Sequence, residues 1–203
     1  MRYILLFCLF ISIEAKAVRT NWYIDPSASG STNAGTLANP WTTLGRAITN
    51  RTSIHAGDSI LLKRGQDFYV ADQFNGFNWW GWAGRNCPSG TSTDPIVFSA
   101  YGPGNTKPNI LFPNPASTDS TSRNCLSFEG VQYIIIDGLQ FNDGSRFGPL
   151  NNKIRGAYQQ AGIVLGERTS PSQGTDSSES HHCIVRNCYF NNVGMGIVVV
   201  GRY

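Results

Sequence analysis

Three tryptophans, Trp79, Trp80 and Trp82, lie within four positions of the sequence FNWWGWAG. Their rings could form a platform on which the C–H faces of sugar rings stack, that is, a carbohydrate-binding site. The alternative is that they seal the core, because each aromatic side chain buries a large apolar area. The residue types alone leave both interpretations open.

Carboxylates and imidazoles offer a second kind of chemistry. Glu129 and Glu167 end two similar segments, CLSFEG and GIVLGE, so that a pair of carboxylates could hold a metal cation. Two solvated turn residues are the simpler interpretation. His182 follows His181, but adjacent residues of a strand point to opposite faces, so the sequence predicts a poor metal site there.

The composition restricts the class of protein. The net charge is only +3 and charged residues make up 14% of the 203 positions, so we expect no nucleic-acid partner. A low charge content with abundant glycine and small polar residues favours many short strands joined by turns. The length allows one sizeable domain with a core.

The first 17 residues are predicted to be a signal peptide outside the fold. Arg2 precedes an apolar segment, Tyr3–Ile13, that is too short to span a bilayer, and Ala15-Lys16-Ala17 matches a cleavage pattern. We therefore expect cleavage after Ala17, a domain that begins at residue 18, and a periplasmic, cell-surface or secreted location. No later segment is long enough to span a membrane.

A duplicated segment organises the second half of the chain. The sequences YIIIDGLQFND and HCIVRNCYFNN align without a gap when Phe141 is placed on Phe190, which also puts Leu139 on Cys188. Each copy contains two short apolar runs separated by a two-residue break. Such a repeat predicts a solenoid of stacked β-coils.

The break in each copy predicts a sharp bend. Side chains alternate along a strand, yet the apolar positions Ile136 and Leu139 are three residues apart, so the inward phase shifts by one. Gly138 and Asn187 lie at this shift, and glycine and asparagine enter the left-handed conformation at low cost. We expect one left-handed residue at each bend.

Four cysteines follow the signal peptide, and an exported protein could pair them. Cys183 and Cys188 occupy apolar positions of the repeat, which favours unpaired thiols in the core. Cys87 and Cys125 lie in loop-like contexts, where a bridge is possible. No cysteine pair has the spacing of a zinc site.

The apolar runs predict strand triplets that form about three coils. The first would contain residues 60–63, 96–100 and 109–112, the second 126–128, 133–136 and 139–141, and the third 163–165, 183–185 and 188–190. The final segment, GIVVVGRY, begins a new apolar strand. Since an uncovered coil exposes apolar area, we expect the chain to be the N-terminal part of a longer protein, or a partner or second copy to cover this end.

Several segments resemble a known superfamily. They are YIDP, GTLANPWTTL, a short amphipathic helix over Pro40–Ile48, AGDSILLKRG and PIVFSAYGPGNTKPNI. This series is similar to the N-terminal cap and first coil of right-handed parallel β-helix proteins of the pectate-lyase-like superfamily. The resemblance implies a right-handed parallel β-helix with a short N-terminal cap helix.

The resemblance also implies a class of substrate. Enzymes of this superfamily hold polysaccharides along an outer sheet, and the interpretation we favour is a polysaccharide lyase acting on uronate-containing polysaccharide. Such a lyase would use Ca²⁺ and a basic side chain, for which Lys153, Arg155 and His182 are the candidates. The alternatives are a non-catalytic glycan-binding or adhesin-like surface protein and a glycoside hydrolase, which needs paired carboxylates. The outward positions of the repeat contain no ladder of carboxylates.

Overall fold

The structure is a computed structural model, and it describes residues 18–29, 33–70, 77–80, 87–111, 125–142, 161–166, 180–191 and 193–200. Within these ranges it contains one α-helix, α1 (Gly45–Thr49), and thirteen short strands. The strands are β1 (Asn21–Ile24), β2 (Ser59–Lys63), β3 (Asp67–Tyr69), β4 (Phe77–Trp80), β5 (Ile96–Tyr101), β6 (Asn109–Leu111), β7 (Leu126–Glu129), β8 (Ile134–Asp137), β9 (Gln140–Asn142), β10 (Ala161–Gly166), β11 (Ile184–Arg186), β12 (Tyr189–Asn191) and β13 (Met195–Val200).

The strands form three sheets in which every pair is parallel. Sheet A has the order β1-β2-β5-β8-β11, sheet B has β3-β6-β9-β12, and sheet C has β4-β7-β10-β13. From β2 onward each sheet receives every third strand, which is the connectivity of a β-solenoid. Three complete turns lead from β2 to β11, and β12 and β13 continue the winding. The predicted fold class is confirmed.

The register predicted for the repeat is confirmed. Phe141 pairs with Phe190 between β9 and β12, and the two rings stack with centroids 5.1 Å apart and an interplanar angle of 13°. Leu139 is fully buried, and Cys188 packs against the core. Gly138 and Asn187 have φ angles of +74° and +54°, so the chain bends through one left-handed residue in each copy.

The predicted grouping of the first coil is wrong. Residues 60–63 and 96–100 are not two faces of one coil, because β2 and β5 are neighbours in sheet A with Ile60 opposite Phe98. The intervening strands β3 and β4 supply the other two faces of that coil. They were missed because three and four residues of mixed polarity carry no readable alternation.

The N-terminal end is capped as predicted. Helix α1 begins at Gly45, later than the expected Pro40, but Leu44 at its N-cap and Ala47 and Ile48 within it are buried, at the predicted spacing. Trp41 is also buried, and its ring stacks on Trp22 at 5.0 Å. These side chains cover the apolar cross-section of the first coil.

No disulfide bond involves any of the four cysteines within the part of the chain that the structure describes. Cys87 and Cys125 are buried and do not form the bridge that the sequence left possible. Burial raises the pKa of the Cys183 and Cys188 thiols, as expected for side chains packed against the core.

No helix among the described residues is long and apolar enough to cross a membrane.

Candidate functional site

Trp79 lies in the core rather than on a surface. Its side chain is 0% exposed, its ring meets Phe98 edge to face at 5.3 Å, and its Nε1 donates to the Pro88 carbonyl oxygen at 2.9 Å. Phe98 in turn meets Phe128 at 5.1 Å. The position of Trp79 therefore contradicts a sugar-stacking role and favours the alternative that this tryptophan seals the core.

Most of the other predicted site residues in the loops lie outside the described residues. The backbone of Trp80 belongs to β4 and pairs with Glu129. Trp82, Lys153, Arg155 and Glu167 lie outside the described residues. The roles predicted for these side chains stay predictions.

Glu129 is buried, which contradicts its interpretation as a solvated turn residue, whereas a cation shared with Glu167 stays a prediction. Only 3% of its surface is exposed, so it is not a solvated turn residue, and the Ser127 hydroxyl donates to its carboxylate at 2.5 Å. The register pairs Glu129 with Gly166 across β7 and β10. Among the described residues no group of three or more histidine, cysteine or acidic side chains could hold a metal ion.

His181 and His182 do not point to opposite faces. His182 adopts the left-handed conformation with φ +54°, and this turn of the backbone brings the two Nδ1 atoms to 2.5 Å. The prediction of diverging side chains was wrong because it assumed extended backbone. One coil below, Tyr133 has the same left-handed conformation, and its ring stacks on that of His182 at 4.7 Å and 18°.

An apolar ladder runs across the outer face of sheet A beside this ring stack. Val97 pairs with Ile135, and Ile135 pairs with Ile184. Their neighbours Ile96 and Ile134 are fully buried, so alternation directs the ladder outward, and Ile184 is 48% exposed. Because these three side chains point away from the core, packing inside the solenoid does not explain why they are apolar.

A charged edge borders the same ladder. Arg186 forms a 3.0 Å ion pair with Asp137, and the Asn187 amide donates to the same carboxylate at 2.9 Å. The three side chains offer hydrogen-bond donors and an acceptor a short distance from apolar carbon.

We call the Tyr133–His182 ring stack, the Val97–Ile135–Ile184 ladder and the Asp137–Arg186–Asn187 edge the sheet A surface. Ring faces and aliphatic carbons pack on the C–H faces of sugars, and the polar edge can bind hydroxyl groups. The sequence contained the signal for it, because the repeat aligns the ring pair and the isoleucine pair. It was missed since the regularity of the repeat indicated a scaffold.

A second polar cluster, at the N-terminal end of sheet A, is held by internal bonds. Asp25 accepts from Lys63 Nζ and from the Ser27 hydroxyl, each at 2.6 Å. Burial alone would raise the pKa of the Asp25 carboxyl, but these bonds outweigh it and hold the pKa below its ordinary value. Burial, together with the charge of Asp25, raises the pKa of Tyr101 to about 12. These contacts secure the turn above the first coil.

Solved structures share this fold. The native GH136 lacto-N-biosidase from Eubacterium ramulus gives a TM-score of 0.57 at 17% sequence identity, covering 90% of this chain and 36% of that one. Its selenomethionine derivative gives 0.56 at 17%, covering 86% and 34%. A rhamnogalacturonan lyase, with a TM-score of 0.45 and 14% identity over 91% of this chain and 62% of the other, is too distant to support an argument.

At these identities the likeness shows the β-helix fold alone. The chain spans about a third of the length of the lacto-N-biosidase structures. No protein-family model and no curated protein sequence matches the chain.

Proposed function

We propose that the chain is part of an exported carbohydrate-active β-helix protein and that the sheet A surface binds a glycan. The observation that carries this proposal is the outward apolar ladder lying between a stacked pair of rings and a charged edge. The proposal is also supported by two structures of similar fold, with TM-scores of 0.57 and 0.56, which are crystal structures of a lacto-N-biosidase.

The dimensions of the sheet A surface suit a short stretch of polysaccharide. Neighbouring parallel strands are about 4.8 Å apart, so that the ladder across three strands covers about 10 Å. A chain of two or three sugar units lying parallel to the solenoid axis would meet the ladder with its C–H faces. Asp137, Arg186 and Asn187 would then bind its hydroxyl or carboxylate groups along one side.

For the reaction class we propose a polysaccharide lyase that acts on uronate units, with Ca²⁺ as the cofactor. This rests on the resemblance of the N-terminal segments. On the described part of the sheet A surface Asp137 is the one acidic side chain, and it is occupied by Arg186 and Asn187. A hydrolytic pair of carboxylates is thus not assembled by these residues, and catalytic groups of either class would come from other parts of the protein.

Binding is tested by affinity electrophoresis and calorimetry with pectin, alginate and neutral glycans. The variant Tyr133→Asn removes a ring but keeps a residue that accepts the left-handed conformation, and we expect it to weaken binding at least tenfold. Tyr189→Asn is the matched control, because Tyr189 is 55% exposed on sheet B, away from the surface. Equal losses in both variants, or no binding of any glycan, would exclude the sheet A surface.

The reaction class needs the complete protein. Incubation with pectin or alginate and Ca²⁺ should release unsaturated products that absorb in the ultraviolet, and a chelator should stop the release. New reducing ends without ultraviolet absorbance would instead show hydrolysis, and no products at all would support the non-catalytic alternative. Export is tested by N-terminal sequencing of the mature protein, which should begin at Val18.

A further inference from the structure

The two adjacent histidines at the corner of the solenoid converge on one point in space. The Nδ1 atoms of His181 and His182 are 2.5 Å apart, and both side chains are exposed to solvent. Adjacent residues of an extended strand could not do this, because their side chains point to opposite faces. The arrangement depends on the φ angle of +54° at His182.

The backbone at His181 is held by the preceding coil. His181 forms a parallel bridge with Gln132, donating its N–H to the Val131 carbonyl at 3.3 Å and accepting from the Tyr133 N–H at 3.2 Å. The Tyr133 ring then stacks on the His182 ring at 4.7 Å and meets the His181 ring edge to face at 6.1 Å. The two imidazoles are therefore oriented before any ligand arrives, which lowers the entropy cost of binding.

We propose that His181 and His182 form a binding site for a late first-row transition-metal ion, of which Cu²⁺ and Zn²⁺ are the candidates. Imidazole nitrogen is a preferred ligand of these ions. Metal–nitrogen bonds of about 2.0–2.1 Å at angles between 90° and 110° separate two donor atoms by about 2.9–3.4 Å. The two rings need to move apart by less than about 1 Å to reach this spacing.

In the metal-free protein one ring donates a hydrogen bond to the other through this Nδ1 contact, the direction depending on the tautomers. In the metal-bound protein both Nδ1 atoms would be ligands, and each ring would carry its proton on Nε2. The described residues contain no third histidine, cysteine or acidic side chain in the same group. Water or a ligand oxygen would fill the other coordination positions, as in open metal sites.

Isothermal calorimetry with CuCl₂ and with ZnCl₂, in the absence of any glycan, tests the site. We expect one bound ion per chain, with Cu²⁺ held more tightly than Zn²⁺. His181→Ala and His182→Asn should each lower the affinity at least tenfold, the asparagine being chosen because it accepts the left-handed conformation. His55→Ala is the matched control, since it removes the one remaining histidine of the chain and should leave the affinity within about twofold.

A measurement on the unaltered protein makes the test independent of how the variants fold. Substoichiometric Cu²⁺ should broaden the ring-proton NMR signals of two of the three histidines and spare that of His55. The proposal is overturned by a double variant that keeps the wild-type affinity, by equal weakening in His55→Ala, or by the absence of binding.

Discussion

Replacing Trp79 with leucine separates a structural tryptophan from a sugar-binding one. In the structure Trp79 is 0% exposed, its ring meets Phe98 at 5.3 Å, and its Nε1 donates to the Pro88 carbonyl at 2.9 Å. Leucine keeps an apolar side chain at the site but removes the ring and the donor. Trp79→Leu therefore damages the core and leaves the sheet A surface unchanged.

The expected loss of stability follows from these two contacts. Truncating a buried tryptophan to alanine costs about 3–5 kcal/mol, and leucine recovers part of this because it fills part of the space. The lost hydrogen bond to Pro88 costs about 1 kcal/mol. We expect Trp79→Leu to lower the free energy of unfolding by about 2–4 kcal/mol, which in a domain of this size lowers the Tm by about 5–15 °C.

The assay compares thermal unfolding, followed by circular dichroism, with glycan retention measured well below the lowest Tm. Trp79→Leu should unfold earlier and still bind glycan like the wild type. Tyr133→Asn should show the opposite pattern, with weak binding and nearly unchanged stability. If Trp79→Leu abolished glycan retention at a temperature where its fold is intact, the assignment of Trp79 to the core would be refuted.

Three further predictions concern the scaffold. In urea unfolding, Gly166→Ala should destabilise the protein more than Gly65→Ala. A Cβ atom at position 166 would overlap the Val200 carbonyl oxygen, whereas a Cβ atom at position 65 would have nothing within 4 Å. The hydrogen bonds that lower the pKa of Asp25 stabilise the folded state at pH values above 3.8, the ordinary pKa of this carboxyl, and their contribution is lost as the pH falls through the lower folded-state pKa. Asp25→Asn should therefore flatten the fall of the urea midpoint below pH 4. The pKa of Tyr101, raised to about 12 from 10.0, should make stability decline as the pH rises from 10 towards 12, and Tyr101→Phe should remove that decline.

The fold could be predicted further than the site, and the reason lies in the repeat. Two aligned copies reveal which positions are equivalent, so the Phe141–Phe190 pairing and the left-handed bend at Gly138 were readable from residue order alone. Strand β4 has no second copy to align with, and its register against β7 depends on a partner almost fifty residues away. Whether Trp79 faces the core is decided by that long-range pairing rather than by local sequence.

The repeat aligns the residues of the candidate site, but their convergence was not predictable because it depends on the backbone conformation at a corner. The sequence showed that Tyr133 and His182 are equivalent, but a strand-like reading gave their side chains ordinary alternating directions. The left-handed conformation changes those directions, stacking the two rings and bringing His181 to His182. One left-handed residue in each of two coils, Tyr133 and His182, thus brings three rings together at this corner.

At the same corner the backbone adopts an unfavourable conformation, because Tyr133 is left-handed. The bends at Gly138 and Asn187 use residues that enter the left-handed region cheaply, whereas Tyr133 enters it at a cost of about 1–2 kcal/mol. Tyr133→Asn relieves much of this cost but loses the ring contact with His182, worth about 0.5–1.5 kcal/mol. The two effects nearly cancel, so we expect the free energy of unfolding to change by less than about 1 kcal/mol while glycan binding weakens. A loss well above this in urea unfolding would show that the ring stack holds the coils together, and the strained tyrosine would then be part of the scaffold rather than of a binding surface.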